Sequence, residues 1–382
     1  MLHSRYATGS SSGENRVVQD EVELLRERGH DVKDWSPMPP DGHARQALLG
    51  ARAVWSPSAR RELRTLVRSH RPDVIHVHNL FPLLSPAVLR TAAAPVVLTL
   101  HNYRLLCLPA TFLRDGRTCE DCLGRAPWRG VGHRCYRGSV AGSASLATSI
   151  TLHRRLRTFD RVARFLAVSE FVRDKYVEAG FDSGRMVVKP NFVPATAQRR
   201  GPGRDFLYLG RLSVEKGLET LMPIWAEFPA RLLVVGDGPE RARLERCAPR
   251  NVRFVGSVPE KEVPDLLRDA RALVLPSICY EGAPRTVVEA FAAGVPVVGS
   301  RLGAIPTIVG SSPRASSPTS SSENRITVML SRPPASLASA ISRSAAWPRS
   351  GSSLRMVAIC CSLIIDVRPS LHRSTMSPAC AA

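Results

Sequence analysis

Apolar and polar positions along this chain repeat in one rhythm: a short apolar run, a loop of small residues, then a stretch with helical spacing. Val17 to Arg28 puts Val18, Val22 and Leu25 on one face and stops at Gly29, which predicts an amphipathic helix. His30 to Trp35 reads as a strand after it. Asp73–His78, Val96–His101 and Phe165–Ser169 are apolar runs of strand length. Glu170 to Ala179 reads as a helix, and Val187 to Asn191 leads out of the first half. Only Met1-Leu2-His3 is left for the strand that normally opens a doubly wound sheet, so the start looks clipped.

Beyond a Pro/Gly/Arg linker at 194–204 the rhythm restarts. Phe206–Leu209, Leu232–Val235, Val252–Val255, Ala272–Leu275 and Val295–Val298 read as strands with helices between them. Alternation of β and α over both halves predicts an α/β protein, with two Rossmann-like domains facing a cleft. Their expected bounds are 1–193, with a Cys-containing insertion at 107–137, and 194–309. From Gly310 the helical periodicity vanishes, and only Glu323 and Asp366 are acidic to Ala382. Such a composition predicts an irregular or disordered tail over 310–382. Apolar islands without amphipathic context (Met329-Leu330, Ile359, Leu363 to Ile365) favour a sharper reading, a reading frame shifted near Gly310.

With 382 residues the chain is long enough for several full cores. The formal net charge of +20 invites a nucleic-acid partner, but just five of the 53 basic residues are lysine and the arginines are spread out. No nucleic acid is therefore expected. The exception is the cluster Arg154, Arg155, Arg157, Arg161 and Arg164, either a solvated helix face or a peripheral contact with membrane phosphates. No apolar run has the length of a membrane span, and no signal-peptide pattern starts at Met1. The expected location is the cytoplasm, with the inner face of the plasma membrane as its peripheral variant. Cys107, Cys119, Cys122 and Cys135 fall in the insertion, one pair spaced C-x-x-C. Four such thiols suit a structural zinc better than disulfides in a reducing compartment, although the outer spacing is loose and free thiols are the alternative.

Candidate chemistry gathers where strands end. Ser277 to Ala293 reads SICYEGAPRTVVEAFAA: a strand end, a bend at Gly282-Ala283, then a helix opened by Pro284. Backbone amides there suit a phosphate, and Glu289 suits the paired hydroxyls of a ribose. Two glutamates at a helix start also simply complement its dipole. Gly210-Arg211-Leu212-Ser213-Val214-Glu215-Lys216-Gly217 places an arginine and a lysine within reach of one diphosphate. Gly236-Asp237-Gly238 is a turn with room for a base or phosphate. Ser12-Gly13 closes a loop of small residues before the first helix, and His101 ends a strong strand.

These pieces together resemble a family 4 glycosyltransferase of GT-B architecture over roughly Leu2 to Val309. The carrying segments are SGE at Ser12, HVHN at His76, TLHNYRLLC at Thr99, AVSEF at Ala167, KPN at Lys189, GRLSVEKG, VGDGP and the E-x7-E pair Glu281 and Glu289. The resemblance implies a UDP- or GDP-linked sugar donor and a glycan or lipid-linked acceptor, with retained anomeric configuration and no catalytic metal. It also implies a role in cell-surface polysaccharide biosynthesis. Arg211 and Lys216 would neutralise the diphosphate, Glu289 would hold the ribose, and Glu281 with Gly282, Ala283 and Pro284 would position the donor sugar. His101 would lie beside the reacting carbon. Two departures, the clipped start and the tail from Gly310, leave open a non-catalytic relic that binds nucleotide at most. A sugar-nucleotide epimerase of the same architecture is the other alternative.

Overall fold

The structure, a computed structural model, describes residues 1–5, 12–39, 43–194, 196–199 and 201–310, with the strands at 326–330, 356–359 and 362–367. It separates into two compact units: Met1–Arg114 with Cys119–Phe192, and Val193–Ala382 with the short stretch Asp115–Thr118.

In chain order the first unit carries β1 (Leu2–His3), α1 (Gly13–Glu27), α2 (His43–Val54), α3 (Pro57–His70), β2 (Ile75–Asn79) and β3 (Val96–Leu100). A ribbon of β4 (Leu113–Arg114) and β5 (Arg117–Thr118) follows, then α4 (Arg129–Gly132), α5 (Val140–Arg155), β6 (Val162–Ala167), α6 (Glu170–Glu178) and β7 (Met186–Val188). Its sheet runs β1-β2-β3-β6-β7, and every pair is parallel. Parallel sheets are covered on both faces, so Ile75, Val77, Val96, Leu98, Leu100, Phe165 and Ala167 are all buried.

Three features differ from the sequence pattern. The short opening strand pairs with β2 through Leu2↔Val77, but it lies at the edge of the sheet. The strand expected at His30–Trp35 shrinks to a single bridge, Leu2↔Trp35. Asp31, Lys33 and Asp34 resist burial, and a two-residue β1 offers no ladder to extend. Helix α3 is an element beyond those expected, with Ala59, Leu63, Leu66 and Val67 at helical spacing. It is started by Ser56, whose hydroxyl accepts from the Ala59 amide, with Pro57 in the first turn.

The arginine cluster is not one exposed face. Arg154 is turned inward, donating to the Leu105 carbonyl at 3.2 Å and lying over the Phe181 ring. Arg155, Arg157, Arg161 and Arg164 stay exposed. None of the described helices is long and apolar enough to cross a membrane.

The second unit holds β8 (Asp205–Leu209), α7 (Met222–Glu227), β9 (Leu232–Val235), α8 (Arg241–Cys247), β10 (Val252–Gly256) and α9 (Val263–Asp269). It continues with β11 (Ala270–Leu275), α10 (Arg285–Ala292), β12 (Val297–Gly299) and α11 (Ile305–Val309). The strands order as β10-β9-β8-β11-β12, all parallel. Successive side chains alternate between two cores. Leu207, Leu273 and Val297 pack with Val287, Ala290 and Ile305 on one face. Tyr208, Val234 and Val274 pack with Leu212, Trp225 and Leu244 on the other. Each such fully buried side chain contributes about 1.5–3 kcal/mol relative to exposure.

The parallel order ends at β12. The next strand, β13 (Ile326–Leu330), pairs antiparallel through Val298↔Leu330. Strands β14 (Met356–Ile359) and β15 (Ser362–Val367) extend this edge, also antiparallel. Of the tail expected to be irregular, these three strands are described; 311–325, 331–355, 360–361 and 368–382 lie outside the described residues.

Candidate functional site

In the second unit, β8, β9 and β11 end side by side, and the loops that leave them are tied together. The Gly210 amide donates to Val235 O at 3.0 Å and the Leu212 amide to Asp237 O at 2.9 Å. Tyr208, buried, donates its hydroxyl to Arg211 O at 2.7 Å. The contact is close enough to exclude side chains. A Cβ on Gly236 (φ +129°) would meet Gly210 O at 1.9 Å, and one on Gly238 would meet Leu212 O at 2.2 Å. Asp237 is turned back on its own loop, accepting from the Gly238 amide at 2.7 Å and from Arg241 at 3.0 Å.

Lys216 and Glu281 meet beneath these loops. The ammonium lies 2.8 Å from Glu281 Oε1, which also accepts from the Ser277 hydroxyl at 2.6 Å. Ser277 is held in turn, its carbonyl accepting from Ser300 Oγ at 2.6 Å. Burial pushes the Glu281 carboxyl up, but the Lys216 charge and the hydrogen bonds outweigh it and hold the group below its usual range. Lys216 is shifted the other way: burial lowers it, and Glu281 raises it above the ordinary lysine value. Both groups are thus charged at neutral pH. Glu281 Oε1 faces Lys216.

Helix α10 begins just beyond, with Pro284 at its N-cap. Gly282 and Ala283 form the bend before it. Glu289 sits in the second turn, 2.7 Å from Arg285 Nε. Arg211 is exposed at the loop mouth. The second unit therefore carries Gly210, Arg211, Lys216, Gly236 to Gly238, Glu281 to Pro284 and Glu289 on the C-terminal side of one parallel sheet, where open α/β sheets take ligands.

The remaining candidates belong to the first unit. Ser12 stands at the N-cap of α1 without a side-chain cap bond, and Gly13 is the first helical residue; Gly9 to Ser11 lie outside the described residues. His101 follows β3 and is half-buried. Its Nε2 is 2.9 Å from His78 Nδ1, and desolvation lowers its pKa to about 4. Asn102 anchors the turn, donating to Glu14 Oε1 at 2.5 Å and accepting from Tyr176 at 2.8 Å.

Cys107, Cys119, Cys122 and Cys135 all line one cavity of about 20 Å³, roughly the room one water or ion needs. Burial pushes the Cys107 thiol up to about 12. Among the described residues, the group of three metal-ligating side chains whose donor atoms all lie within 4.8 Å of one another is Glu21, His76 and His78, not the cysteines. The sequence pattern missed this group, along with Ser277 and Ser300. Its one legible signal was the H-x-H of His76 and His78 on a strand, a spacing that sends both rings to one side.

Comparison with known proteins follows the same division. Residues 11–196 match Glycosyltransferase Family 4, and residues 203–345 match Glycosyl transferases group 1. A 2-deoxystreptamine N-acetyl-D-glucosaminyltransferase of Streptomyces fradiae is 30% identical over 295 residues, 72% of this chain and 66% of that protein, just under two thirds of its length. A phosphatidyl-myo-inositol mannosyltransferase of Mycolicibacterium smegmatis is 26% identical over 78% of this chain and 75% of its own. Among solved structures, the sucrose-phosphate synthase of Thermosynechococcus elongatus superposes with a TM-score of 0.57 at 18% identity, over 81% of this chain and 82% of that one. The Anabaena Alr3699/HepE protein in complex with UDP-glucose gives 0.53 at 17% identity, over 81% and 82%. With both halves matched and the two-sheet architecture in place, the chain is a GT-B homologue of the family 4 glycosyltransferases.

Proposed function

We propose that this protein transfers a sugar from a nucleoside diphosphate sugar to a hydroxyl of a glycan, cyclitol or lipid-borne acceptor, with the second unit holding the donor. The observation that carries this reading is Lys216, a charged ammonium fixed on Glu281 at the strand ends. A sugar leaving group of this kind departs as a diphosphate, so positive charge held where negative charge develops lowers the barrier. Lys216 supplies that charge, Arg211 adds an exposed second cation, and Glu289 takes the ribose hydroxyls. Glu281 keeps Lys216 protonated and aimed. The acceptor oxygen forms its bond to the anomeric carbon as the carbon–phosphate oxygen bond breaks, and the departing phosphate takes the acceptor proton on the same face. Retention of configuration follows.

The test is release of nucleoside diphosphate from UDP- and GDP-sugars on adding candidate acceptors. Acceptor-dependent release supports transfer. Donor bound with no release under any acceptor supports the relic, and rearranged donor supports the epimerase. The relic is favoured by one observation, the antiparallel strand that follows β12 where the parallel rhythm would continue. We link it to a reading frame shifted near Gly310; the genomic sequence across that codon, read in three frames, decides it.

In the insertion we propose that Cys107, Cys119, Cys122 and Cys135 close on one structural zinc, supported by their shared cavity. Elemental analysis is expected to show Cys122→Ser holding one zinc per chain fewer than the purified wild type. A zinc content well below one per chain in wild type, or one that Cys122→Ser leaves unchanged, contradicts it.

A further inference from the structure

We propose that Glu21, His76 and His78 form a binding site for one divalent transition-metal ion of borderline softness, such as Zn²⁺, inside the first unit. The site is independent of the transferase reading and of the cysteines. Glu21 projects from α1, and the two histidines project from the same side of β2. Glu21 Oε2 lies 3.7 Å from His76 Nδ1 and 3.6 Å from His78 Nε2. Ligands at 2.0–2.2 Å from a tetrahedral ion sit about 3.3–3.6 Å apart, close to both Glu21–histidine distances, and all three donor atoms lie within 4.8 Å of one another.

Two further observations point to a ligand. His78 Nε2 is a fully buried nitrogen without a hydrogen-bond partner, aimed at the centre of the group; such an atom is costly unless something accepts its lone pair or its proton. The outer nitrogens of both rings are already engaged. His76 Nε2 is 2.7 Å from Thr99 Oγ1, and His78 Nδ1 is 2.9 Å from His101 Nε2. Metal-bound imidazoles are oriented in this way by their second nitrogen. A cation on His78 Nε2 leaves the His78 proton on Nδ1, which then donates to His101 Nε2. The neutral His101 ring is thereby fixed with its own proton on Nδ1. The ion thus stiffens the α1–β2 contact and sets one tautomer of His101.

Lys189 works against the ion. Its ammonium pairs with the other carboxylate oxygen of Glu21, so a bound dication meets a like charge nearby. The side chain is the most exposed of the group, at 35%, and His76 is 14% exposed, which places the entry on that side.

The experiment uses the full chain, Co²⁺ as the probe, equilibrium dialysis to count ions, and visible spectra to separate ligand types. Nitrogen and oxygen ligands give d–d bands without thiolate charge transfer, so the cysteines are told apart. Wild type is expected to bind one Co²⁺ of this kind. His78→Ala and Glu21→Gln should each lose that ion while keeping wild-type circular dichroism. Lys189→Met, which leaves all three ligands in place, should bind it tighter, on the order of ten-fold. The proposal is overturned if wild type shows no such bands, if count and spectrum are the same in folded His78→Ala and Glu21→Gln, or if Lys189→Met binds no tighter.

Discussion

Lys216→Ala is expected to cost the second unit about 3 kcal/mol of stability, because it leaves the Glu281 carboxylate, 9% exposed, without its counter-charge. The same change should weaken binding of UDP or GDP by roughly 10–100-fold, the worth of a charge-assisted contact to phosphate. The two losses separate in Lys216→Ala/Glu281→Gln. Removing the stranded charge should restore much of the stability and none of the affinity. Chemical denaturation and nucleotide titration of the three proteins check this. If the double variant binds nucleotide like wild type, Lys216 does not meet the phosphates.

The pH dependence has a definite sign. Glu281 is held below its ordinary value of 4.5 by Lys216, against the upward push of burial. Its contribution is present above pH 4.5 and is lost as pH falls through the lowered folded value. Lys216 is raised above 10.5 by Glu281, against burial. Its contribution is present below pH 10.5 and is lost as pH rises through the raised folded value. Thermal unfolding of wild type should show this plateau at both edges, and Lys216→Ala should lack it.

Gly236→Ala is the second large effect. At φ +129° an alanine is strained, and its Cβ would lie 1.9 Å from Gly210 O. Backbone cannot yield as a flexible side chain does, so the β8 and β9 loops must part. A loss of about 3 kcal/mol or more is expected, a fall in Tm of roughly 6–12 °C for a unit of this size. Nucleotide affinity should fall with it, because the separated loops no longer present Arg211 and Asp237 together. Gly201→Ala is the control: nothing lies within 4 Å of its Cβ position, and its effect should stay within about 0.5 kcal/mol. Equal Tm values for the two variants would show that the loops are not packed as described.

The βα rhythm was legible because parallel strands are buried on both faces and so read as short continuous apolar runs; Leu232–Val235 and Val96–Leu100 were found almost to the residue. Charge decided the failure at His30–Trp35, where two apolar residues in six, Val32 and Trp35, are not enough without a partner strand. The loop residues of the proposed donor side were legible as types, since Gly, Arg, Lys and Glu cluster at strand ends. Their pairing was not. Nothing in E-x7-E says that Glu281 turns toward Lys216, sixty-five positions earlier, while Glu289 pairs along its own helix with Arg285. The buried histidine group was invisible for the same reason. Glu21 reads as a helix surface residue until β2 is laid against it.

The most direct measurement is calorimetric titration of UDP and of GDP into the full chain, Glu289→Ala and Lys216→Ala. One saturable site per chain is expected for one of the two nucleotides. Lys216→Ala should weaken it as above, and Glu289→Ala by about 10-fold or more through loss of the ribose hydrogen bonds. Absence of saturable binding by wild type, or equal affinity in all three folded proteins, would contradict a donor site built on these residues.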